Sequence, residues 1–96
     1  MTISTLVDTY RVRLAGLHTL VTIQVWRDDD GWLSVSTSHA IQAPHQAGVY
    51  PISPTEYQQH LTPNALARWV ADHMEAEVRT AMEAGHTPDE SWLVSA

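Results

Sequence analysis

Three stretches in the first 42 residues alternate apolar and polar side chains, and a three-residue tip between two of them decides how they can pair. Tyr10, Val12 and Leu14 share a face, with Arg11 and Arg13 on the other. Val21, Ile23 and Val25 alternate with Leu20, Thr22, Gln24 and Trp26, and Leu33, Val35, Thr37, His39 and Ile41 alternate with Trp32, Ser34, Ser36 and Ser38. A period of two is the signature of half-buried strands, here about 8–14, 19–27 and 32–42.

Register follows from parity, because paired strands must turn their apolar sets to the same side. In "VWRDDDGWLSV" a three-residue loop Asp29-Asp30-Gly31 needs a left-handed residue in third place, which glycine supplies. It sets Val25 opposite Val35 and Ile23 opposite Thr37. A four-residue loop would set Trp26 against Leu33 and mix the faces. For the first hairpin, a two-residue turn at Gly16-Leu17 sets Val12 opposite Val21 and Tyr10 opposite Ile23.

Beyond Ile41 the chain changes character. "QAPHQAGVYPIS" reads as a loop in which Val49 to Ile52 could add a short edge strand, with Pro51 barring a central place. Ser53, Pro54 and Glu56 carry the signals of a helix start, predicting a short helix to about His60. Thr62-Pro63 opens a long helix over about 63–84, closed by Gly85, and Thr87 to Glu90 opens a final turn carrying Trp92 and Leu93. On the long helix Leu66, Val70, Met74, Val78 and Ala81 form one stripe, flanked by Ala67 and Ala71. Arg68, Asp72, Glu75, Arg79 and Glu83 take the opposite side, Glu75 and Arg79 as an i,i+4 pair. The expected fold is therefore α+β: a single domain over 1–96, a three- to four-stranded antiparallel meander covered on one face by the long helix, with short flanking helices.

Bulk properties narrow the function. Of 96 residues, 44% are apolar and 17% charged, the make-up of a folded globule. No apolar run is long enough to span a membrane, no leader pattern opens the chain, and the lack of cysteine suits a cytoplasmic setting. Eleven acidic residues face five arginines and no lysine, a balance that disfavours nucleic acid. There is no glycine-rich phosphate loop, nucleophile elbow, thiol or amine nucleophile, so no catalytic residue is assigned and no cofactor is expected. Contiguous aspartates do not offer the alternating ligands of a calcium loop, and the histidines lack zinc spacing, so no metal is assigned.

Two surfaces remain as candidates. The sheet face away from the helix gathers Arg11, Arg13, Gln24, Trp26, Trp32 and Ser34, a mixture in which Trp and Arg can concentrate binding energy. It predicts a non-enzymatic interaction module that docks a partner protein or a second copy as a homodimer, with inhibition of a basic nucleic-acid-binding protein as one form of it. The alternative is a small-molecule or metal pocket between the 43–53 loop and the long helix, built from His39, His45, Trp69, His73 and Glu77, with His73 and Glu77 one helical turn apart.

Protonating all six histidines would bring the formal charge from −6 to 0 while the carboxylates stay ionised. Solubility should pass through a minimum near the pI of 5.3. A precipitation assay that stays flat between about pH 4.5 and 7.5 would contradict this charge argument.

Overall fold

The computed structural model describes residues 3–51 and 62–95, and the backbone of 55–57. In chain order the elements are β1 (Ser4–Val12), β2 (Val21–Asp28), β3 (Leu33–Thr37), β4 (His39–Ile41), β5 (Thr55–Tyr57), α1 (Pro63–Glu83), a 3₁₀ turn (Glu90–Trp92) and β6 (Leu93–Ser95). The main sheet is antiparallel with order β1-β2-β3-β5, and β4 pairs with β6 in a separate ribbon. With α1 packed on the sheet, the class is α+β, as the patterning predicts.

The second hairpin forms as parity requires. Val25 lies opposite Val35 and Ile23 opposite Thr37. The Asp28 N–H donates to the Trp32 carbonyl at 2.8 Å, the Gly31 N–H donates back to Asp28 at 3.0 Å, and Gly31 sits at φ 91°. The first hairpin keeps its predicted register, Val12 opposite Val21 and Tyr10 opposite Ile23, but reaches it by another route. The ladder stops at Val12 and Val21, and the chain between them makes a turn over Leu14 to Leu17, with the Leu17 N–H on the Leu14 carbonyl at 3.1 Å. Gly16 therefore occupies the third turn position, where φ must be positive, and its φ is 74°. Leu14 and Leu17 turn into the core instead of extending the strands.

The third alternating stretch breaks at Ser38. Its hydroxyl oxygen takes the Thr22 N–H at 2.9 Å, so a side chain stands in for the next backbone acceptor and β4 leaves the sheet to meet β6. The expected edge strand near Val49 reduces to one bridge, Ile41 with Tyr50, and Ile52 lies outside the described residues. The short helix expected from Ser53 to about His60 is corrected over 55–57. Those residues are extended, with Val35 opposite Thr55, Ser34 opposite Glu56 and Leu33 opposite Tyr57. Strand propensity in Thr55 and Tyr57 and the open edge of β3 outweigh a local capping signal. The rest of that stretch lies outside the described residues.

α1 follows its reading closely. Thr62 caps it by accepting the Ala65 N–H at 3.1 Å, with Pro63 in the first turn. At the far end the His86 N–H reaches Ala81 and the Gly85 N–H reaches Met82, with Gly85 at φ 96°, which is a Schellman closure. Leu66, Ala67, Val70, Met74, Val78 and Ala81 are buried in one cluster with Val21, Ile23, Val25, Leu33 and Val35. No helix among the described residues is long and apolar enough to cross a membrane.

The C-terminal segment ties the first loop to the core. Trp92 is buried, its carbonyl accepts the Gln42 N–H at 2.8 Å, and Pro88 lies against Gly16. Asp89, not Thr87, caps the 3₁₀ turn by accepting the Ser91 N–H. That leaves Glu90 free to reach across the chain, where it accepts the N–H groups of His18 at 3.0 Å and Thr19 at 2.8 Å and the Thr19 hydroxyl at 2.7 Å. The Thr19 hydroxyl, chief among these donors, holds the Glu90 carboxyl below its usual range. Glu75, expected on the outer side of α1, is half-buried, accepting the Ala15 N–H at 3.0 Å while Arg79 sits at 3.3 Å.

A methyl group at Gly16 would stand 2.7 Å from Pro88 Cγ and face an unfavourable φ as well. Gly16→Ala should cost about 1–3 kcal/mol and lower Tm by at least roughly 5 °C. Gly48→Ala, with open space around it, serves as the neutral control in the same calorimetric scan. Glu90 supplies a pH dependence. Because folding lowers its pKa from 4.5, its contribution is complete above that value and is lost as pH falls through the lowered one. Glu90→Gln should therefore lower Tm at pH 7 and narrow its gap to wild type at pH 3, and a gap independent of pH would contradict the clamp.

Candidate sheet-face interface

The register arranges the open face of the sheet as a grid of cross-strand rows. Arg11 stands beside Thr22, and Thr9 beside Gln24 and Ser36. The next row runs Leu6, Trp26, Ser34 and the backbone position of Glu56, followed by Ser4 beside Asp28. Trp32 follows Gly31 directly and adjoins Asp28 through their backbone bond. Side chains in one row are close enough to act as a unit.

Trp26 is the centre of this grid. Its indole N–H donates to the Ser36 hydroxyl at 2.9 Å, and Ser34, directly opposite, is only 8% exposed. Small serines on β3 thus make a floor on which a large half-buried ring lies with its one polar atom already bonded. Leu6, 43% exposed, continues the apolar strip on the β1 side, and Trp32, 38% exposed, stands at the hairpin end. Asp28, although acidic, is buried and accepts the Ser4 hydroxyl at 2.7 Å. Asp30 turns back on the hairpin, accepting the Trp32 N–H at 3.2 Å. Two of the three consecutive aspartates therefore serve the turn and the end of the grid.

Of the six residues assigned to this face, Gln24, Trp26 and Ser34 sit together in adjacent rows, and Arg11 borders them. Arg13 lies in the loop beyond β1, exposed, and Trp32 marks the opposite end. Leu6 and Ser4 escaped the sequence reading because β1 begins earlier than the alternation suggests. Between Leu6 and Asp8 the register shifts, so that Val7 is an extra residue. The bulge moves Leu6 from the core parity of Asp8, Tyr10 and Val12 to the open face beside Trp26. The signal was present as adjacent Leu6 and Val7, a break in the period of two.

The alternative group is placed differently. His45 Nε2 lies 2.8 Å from Glu77 Oε2, pinning the loop to α1. His73 bonds its Nδ1 to the Trp69 carbonyl at 2.8 Å and packs between the rings of Trp69, centroids 4.2 Å apart, and Tyr50, 5.9 Å apart. His73 and Glu77 are thus directed to separate partners. His39 joins Ser38, with Nδ1 2.9 Å from the hydroxyl, on the β4–β6 ribbon. The loop thus touches the helix ridge at two points, His45 on Glu77 and Tyr50 on His73. Among the described residues, no three His, Asp or Glu side chains come together to hold a metal ion.

Searches of protein-family models, curated protein sequences and solved structures returned no match to this chain.

Proposed function

We propose that the protein is a small, non-enzymatic interaction module that self-associates through the open face of its main sheet. The observation that carries this reading is Trp26 lying on the serine floor, bonded through its N–H to Ser36 and flanked by exposed Leu6. A ring whose polar atom is already satisfied offers apolar area to a partner at little desolvation cost. A sheet covered on one face only gains most from a second layer, and a second copy supplies an identical flat grid. The net charge of −6 and the absence of cysteine fit a protein-binding role in a cytoplasmic setting better than contact with nucleic acid.

Size sets the strength. Strands of 9, 8, 5 and 3 residues, at about 3.3 Å per residue and about 4.8 Å of width each, give a footprint of roughly 400 Å². That is about half the standard area per partner, so the association should be reversible and in the micromolar range. Sedimentation equilibrium tests it. Apparent mass should rise from 10.7 kDa toward twice that value with concentration. Leu6→Asp and Trp26→Ala, each checked for folding by circular dichroism, should stay at the monomer mass. A wild-type mass that holds at the monomer value up to about 500 µM, far above a micromolar dissociation constant, excludes self-association.

A further inference from the structure

A second surface lies on the outer edge of β1, away from the open-face grid. β1 is the edge strand of the main sheet, so alternate backbone N–H and C=O groups along it face outward. Against this edge, on the side where α1 packs, is a cavity of about 200 Å³ lined by Tyr10, Val12, Asn64, Ala67, Arg68 and Ala71. Its floor is apolar because small alanines on α1 leave the gap that a larger residue would close. The volume is below the ~300–1,000 Å³ of sites for drug-sized molecules, and it fits one aliphatic side chain.

The rim is polar and positively charged. Arg68 is exposed and, among the described residues, has no carboxylate within ion-pairing distance. Arg11 belongs to the open face of the sheet beside Thr22 and Arg13 lies just beyond β1, so Arg68 is the cation that lines this groove. The nearby acids are Asp8 and Asp72. Asp8 is engaged, its carboxylate accepting the Tyr10 hydroxyl at 2.6 Å and the Thr9 N–H at 2.8 Å. Asp72, exposed, lies one turn further along α1. The bulge at Val7 ends the straight part of the edge, leaving Asp8 to Val12 for pairing.

We propose that this groove binds an extended peptide segment, added to β1 as a further strand of the sheet, with one apolar side chain in the cavity and a carboxylate against Arg68. Backbone pairing along an edge provides affinity, and a pocket between edge and helix selects every second side chain, which is how strand addition works physically. The cation at the rim sets the preference for a carboxylate, either a peptide's own C-terminus or an acidic side chain. This site is independent of the sheet-face association, since it uses the edge of β1 and the flank of α1.

Hexapeptide libraries with alternating randomised aliphatic and polar positions provide the probe, in three forms: free C-terminal carboxylate, C-terminal amide, and amide with one internal glutamate. The full-length protein should enrich the first or the third over the second, which identifies the source of the carboxylate. An enriched peptide should shift the backbone amides of residues 8–12 in heteronuclear NMR spectra and slow their exchange. Arg68→Glu, at an exposed position, should weaken binding about tenfold or more, and Ala71→Phe, which fills the cavity, should abolish it. Leu6→Asp should bind the peptide as wild type does, so failure of self-association leaves this result intact. Absence of enrichment in all three libraries, equal binding by Ala71→Phe, or amide shifts centred on Gln24, Trp26 and Ser34 would each overturn the proposal.

Discussion

The period-two pattern of β2 is the constraint on which the rest of the structure depends. Val21, Ile23 and Val25 are fully buried beneath α1, and both neighbouring strands take their register from them. A slip of one residue on either side would bring Trp26 and Gln24 into the core and expose three valine and isoleucine side chains. Gly31 guards the β3 side by accepting the left-handed turn position. On the β1 side the guard is different: Leu14 and Leu17 anchor the loop in the core, and Pro88 and Glu90 clamp it from the C-terminal segment.

The same register that builds the core also writes the open face. Rows of paired side chains follow automatically once Val25 meets Val35, and the bulge at Val7 then adds Leu6 to the Trp26 row. The bulge has a second effect, because it ends the straight edge of β1 and limits what can pair there. One irregularity therefore shapes both surfaces of β1. It supplies an apolar neighbour for Trp26 and confines any added strand to the part of the edge beside α1.

The outer helix ridge has a different fate. Trp69, His73 and Glu77 look in sequence like a site, since aromatic, imidazole and carboxylate groups recur at helical spacing. In the fold their polar atoms are spent on the loop and the helix backbone: Glu77 on His45, His73 on the Trp69 carbonyl and the Tyr50 ring. These contacts fasten the long connection after β4 to the helix. With Glu77 and His73 directed to separate partners, no three metal-ligating side chains come together among the described residues.

Much of this was legible in the chain itself, where the signal is local. Alternation located β2 and both hairpin registers, the Asp29-Asp30-Gly31 turn specified its own conformation, and Thr62, Pro63 and Gly85 bounded α1 because caps and turns depend on neighbours within a few residues. What only the tertiary structure decided depends on partners distant in sequence. Ser38 ends a strand because Thr22 lies across from it, residues 55–57 are extended because β3 has an edge to fill, and Leu6 reaches the Trp26 row because a bulge shifts parity. Glu90 becomes a clamp because the loop 71 to 72 residues earlier offers it three donors. Periodicity records which face of an element is apolar, whereas the partner that covers it is settled only when the whole chain competes for the same buried surface.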